Sequence, residues 1–126
     1  MTQNEMEALA DRLMGAIERG DVDAIKSCYA PDVRIWHNFD EIDQTLEDNI
    51  KVMHWMAKRL LDRKYTIESR RYFADGWVQQ HVLTGTTPSG TAFRMPACII
   101  CQVKDGRVTR LEEYLDTAQT APLRAA

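Results

Sequence analysis

The chain has 126 residues, a length that suits one domain, and 44% of them are hydrophobic, which suffices for one core. A formal net charge of -3 and a pI of about 5.6 exclude the basic surface that nucleic-acid binding requires. No run of about 18 apolar residues and no apolar leader occur, so we expect no membrane span and a cytoplasmic location. We therefore expect a single domain over residues 1–126, with no nucleic-acid or membrane partner.

Two helices are predicted at the start of the chain. Apolar residues recur at i, i+3, i+4 and i+7 from Met6 onward, and Gly20 is a suitable residue to end that helix. Asp21 is a suitable N-cap for a short second helix that buries residues up to Tyr29.

A strand and a third helix are predicted next. Val33 to Phe39 alternates as a strand, with Val33, Ile35 and His37 on one face. From about Gln44 to Asp62, apolar residues and His54 recur at helical spacing. The apolar surface of this helix is so broad that we expect burial on more than one side.

The second half of the chain predicts an antiparallel meander. Four strand patterns follow one another, over 65–73, 77–87, 91–103 and 108–116. Asp75-Gly76 and Asp105-Gly106 are strong hairpin turns, whereas the tail from residue 117 has no clear period. Helices on one face of a long, coiled antiparallel sheet predict an α+β fold with a cone-shaped sheet and an interior pocket.

Several stretches resemble one known superfamily. The residues ERGDVDAIKSCYAPDVRIWHNFD, the helix after them and the ending DGRVTRLEEYLD are similar to the nuclear transport factor 2-like superfamily, in its SnoaL-like branch. The resemblance implies a cystatin-like roll: a curved, mostly antiparallel sheet whose pocket is closed by three helices from the N-terminal half. It also implies a homodimer through the outer sheet face. This fold hosts enzymes and plain binding modules alike.

His37 is the first candidate catalytic residue. It lies on a face that must be buried, and an imidazole can accept a proton near neutral pH. The resemblance places it where related ketosteroid isomerases have their aspartate base. The alternative is a core histidine whose hydrogen bonds are satisfied by a backbone carbonyl or a neighbouring side chain.

Glu113 is the second candidate. It alternates with Leu111 and Leu115 on one face of the last strand, where a carboxylate is costly unless it is paired or functional. The resemblance places it at the catalytic acid of related epoxide hydrolases. It could act as an acid or orient His37. The alternative is a salt bridge to an arginine such as Arg94 or Arg110.

The strand that begins at Trp77 contributes one polar side chain to the pocket. Gln80 and His81 are adjacent, so only one of them faces inward. The family register favours Gln80 as a substrate-binding amide and sends His81 to the outer face, where it remains a weaker candidate.

The remaining candidates are weaker or apolar. His54 is a possible substrate contact on the third helix, and Asp116 is more typical of a capping residue than of a catalyst. The predicted pocket wall consists of Ile35, Phe93, Met95, Ala97, Ile99 and Leu111. Cys98 and Cys101 point to opposite faces of a strand, so we expect no metal site, and no motif indicates a cofactor.

Two known active sites of the superfamily are not reproduced. The resemblance places the ketosteroid isomerase's tyrosine donor at Leu13 and its neutral aspartate at Ile99. The epoxide hydrolase site consists of two acids and an arginine. Only its last acid has a counterpart here, Glu113. We therefore predict a small-molecule pocket that performs proton-transfer chemistry: isomerisation, cyclisation, dehydration or hydrolysis of an apolar, oxygenated substrate. The alternatives are a non-catalytic binding module and a dimeric interaction protein with a filled core.

Overall fold

The computed structural model describes residues 1–125. Its helices are α1 (Gln3–Arg19), α2 (Val22–Cys28), α3 (Leu46–Arg59) and α4 (Ala121–Ala125), and a 3₁₀ turn over Thr117–Thr120 precedes α4. Its strands are β1 (Tyr29–His37), β2 (Asp43–Gln44), β3 (Leu61–Phe73), β4 (Gly76–Thr86), β5 (Ala92–Lys104) and β6 (Arg107–Leu115). The sequence pattern does not predict β2, the 3₁₀ turn or α4.

The strands form one curved sheet in the order β2-β1-β6-β5-β4-β3. The predicted meander runs antiparallel from β3 to β6, and β1 joins it parallel to β6. The core lies between the inner sheet face and α1, α2 and α3. This is the predicted α+β arrangement. No helix within residues 1–125 is long and apolar enough to cross a membrane.

The ends of α1 and the start of α2 follow from local chemistry. Thr2 and Glu5 form a reciprocal capping box that satisfies free amides at the start of α1. Gly20 ends the helix with a φ of 67°, a left-handed conformation that glycine adopts at little cost. The Asp21 side chain then accepts a hydrogen bond from the Ala24 amide and caps α2.

The two predicted hairpins differ in detail. Asp105 and Gly106 have φ angles of 52° and 80°, as expected for the central residues of a tight hairpin. The first turn is formed by residues 74–75, and Gly76 already pairs with Phe73 in the ladder. Gly76 is required there for a different reason, because a Cβ atom would lie 1.9 Å from the Cys101 carbonyl oxygen.

The buried face of helix α3 is narrower than predicted. Asn49, Ile50 and Met56 are buried, but Val52 and Trp55 are 37% and 40% exposed, and His54 is exposed. The prediction of burial on more than one side is wrong. At about 100° per residue, His54 lies far around the helix from the face that contacts the sheet.

Candidate active site

His37 and Glu113 form a buried pair on neighbouring strands. The parallel β1–β6 ladder places the two residues directly opposite each other. His37 Nε2 lies 3.0 Å from Glu113 Oε1, with side-chain exposures of only 10% and 19%. Glu113 therefore contacts the imidazole. The arginine alternatives do not apply, since Arg110 lies against Asp43 and Glu112, and Arg94 is exposed on the outer face of β5.

The pair leaves one imidazole nitrogen available. A glutamate carboxylate can only accept, so Nε2 donates its hydrogen to Glu113 and Nδ1 carries the free lone pair. His37 Nδ1 is buried and has no hydrogen-bond partner in the described part of the chain. Burial lowers the pKa of His37, but the hydrogen bond and charge of Glu113, with the charge of Asp40, outweigh burial, so the pKa is raised.

A second histidine enters the site from β4. His81 is 2% exposed, and its Nδ1 lies 2.8 Å from Nε2 of Gln79, which is fully buried. The Gln79 oxygen accepts from Arg70 Nε at 2.9 Å. His81 Nε2 is buried and lacks a hydrogen-bond partner within residues 1–125. The ring also packs edge-on against Tyr65, with centroids 5.0 Å apart.

Two tyrosines and an asparagine complete the polar lining. Tyr29, Tyr65 and Asn49 line the same small cavity as His37 and Glu113. Burial, with the nearby charge of Glu113, raises the pKa of both phenols, so both stay protonated and can donate. Sequence reasoning missed all three residues. Tyr29 is the first residue of β1 and Tyr65 lies within β3, so no local motif marks either of them.

The site consists of two adjoining cavities. The smaller has a volume of about 40 Å³ and is mostly enclosed by the polar residues above together with Met14, Ile17, Ile35, Met53, Ile99 and Leu111. The larger has a volume of about 310 Å³ and is lined mainly by apolar side chains: Phe39, Val52, Met53, Trp55, Met56, Leu83, Met95, Leu115 and Leu123. His37, Tyr65 and Glu113 line both cavities. The catalytic candidates therefore stand where the two cavities meet.

The predicted apolar wall is divided between these cavities. Ile35, Ile99 and Leu111 line the smaller one and Met95 the larger one. Phe93 and Ala97 are buried on the same face of β5, but they are not among the residues that line either cavity.

The predicted orientation of β4 is wrong. Gln80 is exposed on the outer face, where it accepts a hydrogen bond from Ser69, and His81 is the inward residue. The physical reason is burial: Trp77 and Leu83 share the face of His81, and burying these two large side chains in the core outweighs burying Val78 and Val82 there; Val82 is covered on the outer face instead.

Two further candidates lie outside the site. His54 faces solvent beside Lys51 and Lys58, away from both cavities. Asp116 accepts a hydrogen bond from the Ala118 amide and caps the 3₁₀ turn, as its sequence position favoured. No group of three His, Cys, Asp or Glu side chains within residues 1–125 is arranged to hold a metal ion.

Comparison with known proteins identifies the family. A family model described as SnoaL-like domain matches residues 10–111. The chain belongs to the SnoaL-like domain family. No curated protein matches it in sequence.

Solved structures agree with the fold of this SnoaL-like chain. PrhC from Penicillium brasilianum superimposes with a TM-score of 0.88 at 15% identity, over 99% of this chain and 89% of that one. AclR from Streptomyces galilaeus, provisionally assigned as a hydroxylase, gives 0.86 at 18%, over 99% and 84%. IdmH from Streptomyces antibioticus, provisionally a polyketide cyclase, gives 0.82 at 18%, over 95% and 98%. These likenesses confirm the nuclear transport factor 2-like fold.

The departures from the isomerase site have a structural counterpart in this SnoaL-like chain. Leu13 and Ile99 are buried and apolar, at the positions that the resemblance assigns to the isomerase donors. Here the side chains that line the smaller cavity and can donate a hydrogen bond include Tyr29, Asn49, Tyr65 and His81.

Proposed function

We propose that this SnoaL-like protein is a cofactor-independent enzyme that transfers a proton on a small, largely apolar, oxygenated substrate. The observation that carries the proposal is the buried contact of His37 Nε2 with Glu113 Oε1, because it leaves Nδ1 of the same ring without a partner among residues 1–125. A base oriented by a carboxylate, with a free lone pair at a cavity wall, suits general acid–base catalysis. Isomerisation, cyclisation, dehydration and hydration all include such a proton transfer.

In the proposed step, His37 Nδ1 accepts a proton from a carbon next to a carbonyl group. The electron pair of the broken C–H bond moves toward the carbonyl oxygen and forms an enolate. Glu113 stabilises the imidazolium, as the acidic member of a catalytic triad stabilises its histidine. The imidazolium of His37 then protonates the enolate, at carbon or at oxygen, which gives the product and returns His37 to its neutral form.

The negative charge on the substrate oxygen needs donors that are already in place. Tyr29, Tyr65 and His81 supply polar hydrogens at the wall of the smaller cavity. Donors fixed in a water-poor site stabilise a developing oxyanion more than water does, because they do not have to reorient during the reaction.

The two cavities support the class of substrate. A volume of about 40 Å³ beside the polar residues suits a carbonyl or hydroxyl group, and the apolar cavity of about 310 Å³ suits a carbon skeleton. The provisional cyclase and hydroxylase assignments of IdmH and AclR are in line with oxygenated carbon substrates.

Proton exchange in D₂O tests the proposal without knowledge of the natural product. The purified protein is incubated with a panel of enolisable ketones, β-hydroxy ketones and epoxides, and deuterium incorporation and turnover are followed by mass spectrometry. We expect the wild type to exchange at least one ketone, and His37→Asn and Glu113→Gln to lose about 10² to 10⁴-fold of that rate. His54→Asn is the matched control, since His54 is exposed and outside both cavities.

The rival function is a binding module that uses the same pocket. Such a module would have polar groups that satisfy one another, whereas His37 Nδ1 and His81 Nε2 are both unpaired within the described chain. If the ketones of the panel raise the melting temperature of the wild type, but the protein neither exchanges nor converts any compound, the binding module is the correct function and the enzyme is not.

A further inference from the structure

A chain of hydrogen bonds reaches His81 from the outside of the pocket. Arg70 on β3 donates from Nη1 to Asp11 Oδ1 at 2.8 Å and from Nε to Gln79 Oε1 at 2.9 Å. Gln79 Nε2 lies 2.8 Å from His81 Nδ1 and 3.3 Å from Met14 Sδ. The Arg70 side chain is only 9% exposed and Gln79 is fully buried, so little water competes for the contacts of Gln79 with Arg70 and His81, whereas Asp11 is 66% exposed.

The chemistry of each link permits one direction of donation. A guanidinium group has only donors, so the Gln79 atom that faces Arg70 must be the oxygen. The amide nitrogen of Gln79 therefore points at His81 and donates, which makes His81 Nδ1 an acceptor. A neutral imidazole that accepts at Nδ1 carries its hydrogen on Nε2. That nitrogen is the buried one without a partner in the described residues.

The surroundings of His81 favour its neutral form. The groups that face it are Arg70 and Tyr65 from β3, Gln79 from its own strand and Glu113 from β6. Burial lowers the pKa of His81, the positive charge of Arg70 lowers it further, and Glu113 acts in the opposite direction without reversing the change. His37, close to Glu113 and Asp40, has its pKa shifted upward. The two histidines thus differ in their protonation chemistry.

We propose that Arg70 and Gln79 are positioning residues that hold His81 as a neutral Nε2–H donor, directed to the reacting oxygen of the substrate in the smaller cavity. The catalytic use of this donor rests on the proposed function, whereas the tautomer is a property of the free protein. His81 would then hydrogen-bond the oxygen on which charge develops, while His37 removes the proton. A neutral donor suits this task because it does not protonate the oxygen outright and does not compete with His37 for the carboxylate of Glu113.

Imidazole ¹⁵N NMR of the ligand-free protein tests the tautomer directly. We expect wild-type His81 to show a protonated Nε2 and an unprotonated Nδ1 across neutral pH. In Gln79→Glu, one carboxylate oxygen still accepts from Arg70, but the other now faces His81 as an acceptor. We expect the hydrogen to appear on Nδ1 and the pH of His81 titration to rise. His81→Asn assigns the resonances.

Gln3→Glu is the matched control for added charge. It makes the same amide-to-carboxylate change at the exposed start of α1, away from the sheet, and should leave the tautomer of His81 unchanged. A wild-type His81 with its hydrogen on Nδ1, or a tautomer that does not respond to Gln79→Glu, would overturn the proposal. Neither result would depend on any activity assay.

Arg70 variants provide a second test in case Gln79→Glu does not fold. Arg70→Met frees the Gln79 amide to rotate, and we expect a mixture of His81 tautomers together with a 10 to 10²-fold lower exchange rate on the ketone substrate. Arg70→Lys retains a donor for the Gln79 oxygen and should restore the single tautomer and most of the rate. A single Nε2–H tautomer in Arg70→Met would overturn the role of Arg70.

The two proposals fail in different ways. If the wild type shows the predicted tautomer and Gln79→Glu reverses it, but no compound exchanges or turns over, the proposed function fails and the positioning role of Arg70 and Gln79 stands. If exchange depends on His37 but the tautomer is not as predicted, the proposed function stands and this inference fails.

Discussion

Glu113 and His37 occupy directly opposed positions in the parallel β1–β6 ladder, and their side chains meet at 3.0 Å. The contact is almost removed from solvent, so the carboxylate acts on the imidazole with little screening. Because Nε2 of His37 donates to Glu113, the nitrogen of His37 that can accept a proton is Nδ1. The pH dependence of this protein should therefore report on the pair and not on an isolated histidine.

The first prediction concerns pH and Glu113. The pKa of His37 is raised by Glu113, and the base form exists above that pKa, so wild-type activity should rise as pH increases through it. Glu113→Gln removes the charge, which should move the acid limb of kcat/KM to lower pH while kcat falls. Glu112→Gln is the matched control, because Glu112 lies beside Arg110. An acid limb at the same pH in wild type and Glu113→Gln would assign it to another group.

The His37–Glu113 pair should also make the free energy of unfolding depend on pH. The folded-state pKa of His37 lies above its unfolded value of about 6.5, so protonated His37 stabilises the folded state below that pH. This contribution is lost as pH rises through the folded-state pKa. Urea denaturation at several pH values should show that His37→Asn is more destabilising, relative to wild type, below pH ~6 than near pH ~8.

The second prediction concerns the wall formed by α4. Leu123 is 5% exposed, lines the larger cavity, and its carbonyl oxygen accepts from Arg59 Nη1 at 3.2 Å. Leu123→Ala should lower the free energy of unfolding by about 2 kcal/mol, the low end for such truncations, because the site already adjoins a cavity. Leu61→Ala at a 45% exposed position should cost less than about 0.5 kcal/mol.

Leu123→Ala should also change ligand binding. The enlarged cavity should bind bulkier apolar probes, such as a naphthalene dye, more tightly than the wild type does. Dye titrations at one temperature measure this change. Equal dye affinity in both proteins would indicate that α4 does not limit the cavity.

The third prediction compares two glycines. Gly76→Ala places a Cβ atom 1.9 Å from the Cys101 carbonyl oxygen, so the hairpin must open and we expect a loss of about 3 kcal/mol or more. Gly15→Ala lies within α1 and meets only the flexible end of Arg19 at 3.1 Å. It should stabilise the protein by about 0.5 to 1 kcal/mol, because alanine is the better helix former. Denaturant midpoints check both values.

The fourth prediction concerns assembly. We propose a homodimer through the outer sheet face, where Tyr114 is 44% exposed and packs edge-on against Trp36 with ring centroids 5.3 Å apart. The adjoining groove includes Gln80, Pro96 and Cys98. Light scattering should give twice the chain mass for wild type and the chain mass for Tyr114→Glu, since a buried unpaired carboxylate is costly. A monomeric wild type would contradict the proposal.

Much of the secondary structure was predictable because local chemistry specifies it. The capping residues Thr2, Asp21 and Gly20 lie where α1 and α2 begin and end, and alternation placed His37 and Glu113 on the inner face. The tail was not predictable, because α4 is too short to be stable alone and depends on tertiary contacts. The Leu123 carbonyl oxygen accepts from Arg59 of α3, and the Leu123 side chain packs at the wall of the larger cavity.

The orientation of β4 shows the limit of strand patterns. Each face of β4 has two apolar residues with polar residues between them. Alternation alone therefore does not decide which face is turned toward the core. The choice depends on the total burial gained when Trp77 and Leu83 meet the core, and that sum exists only in the folded chain. The same placement buries Gln79 and His81, which sequence reasoning had assigned to the outer face.

By itself, the sequence determined the class of fold, the boundaries set by caps and hairpin glycines, and the two polar residues that face the pocket, since these depend on neighbours within a few positions. Only the tertiary structure decided that Arg70 meets Gln79, that Gln79 meets His81, and that Tyr29 and Tyr65 line the same cavity. Those contacts join strands through their pairing register and helices through their packing. The free energy that selects them comes from burial of the whole core and not from any local segment.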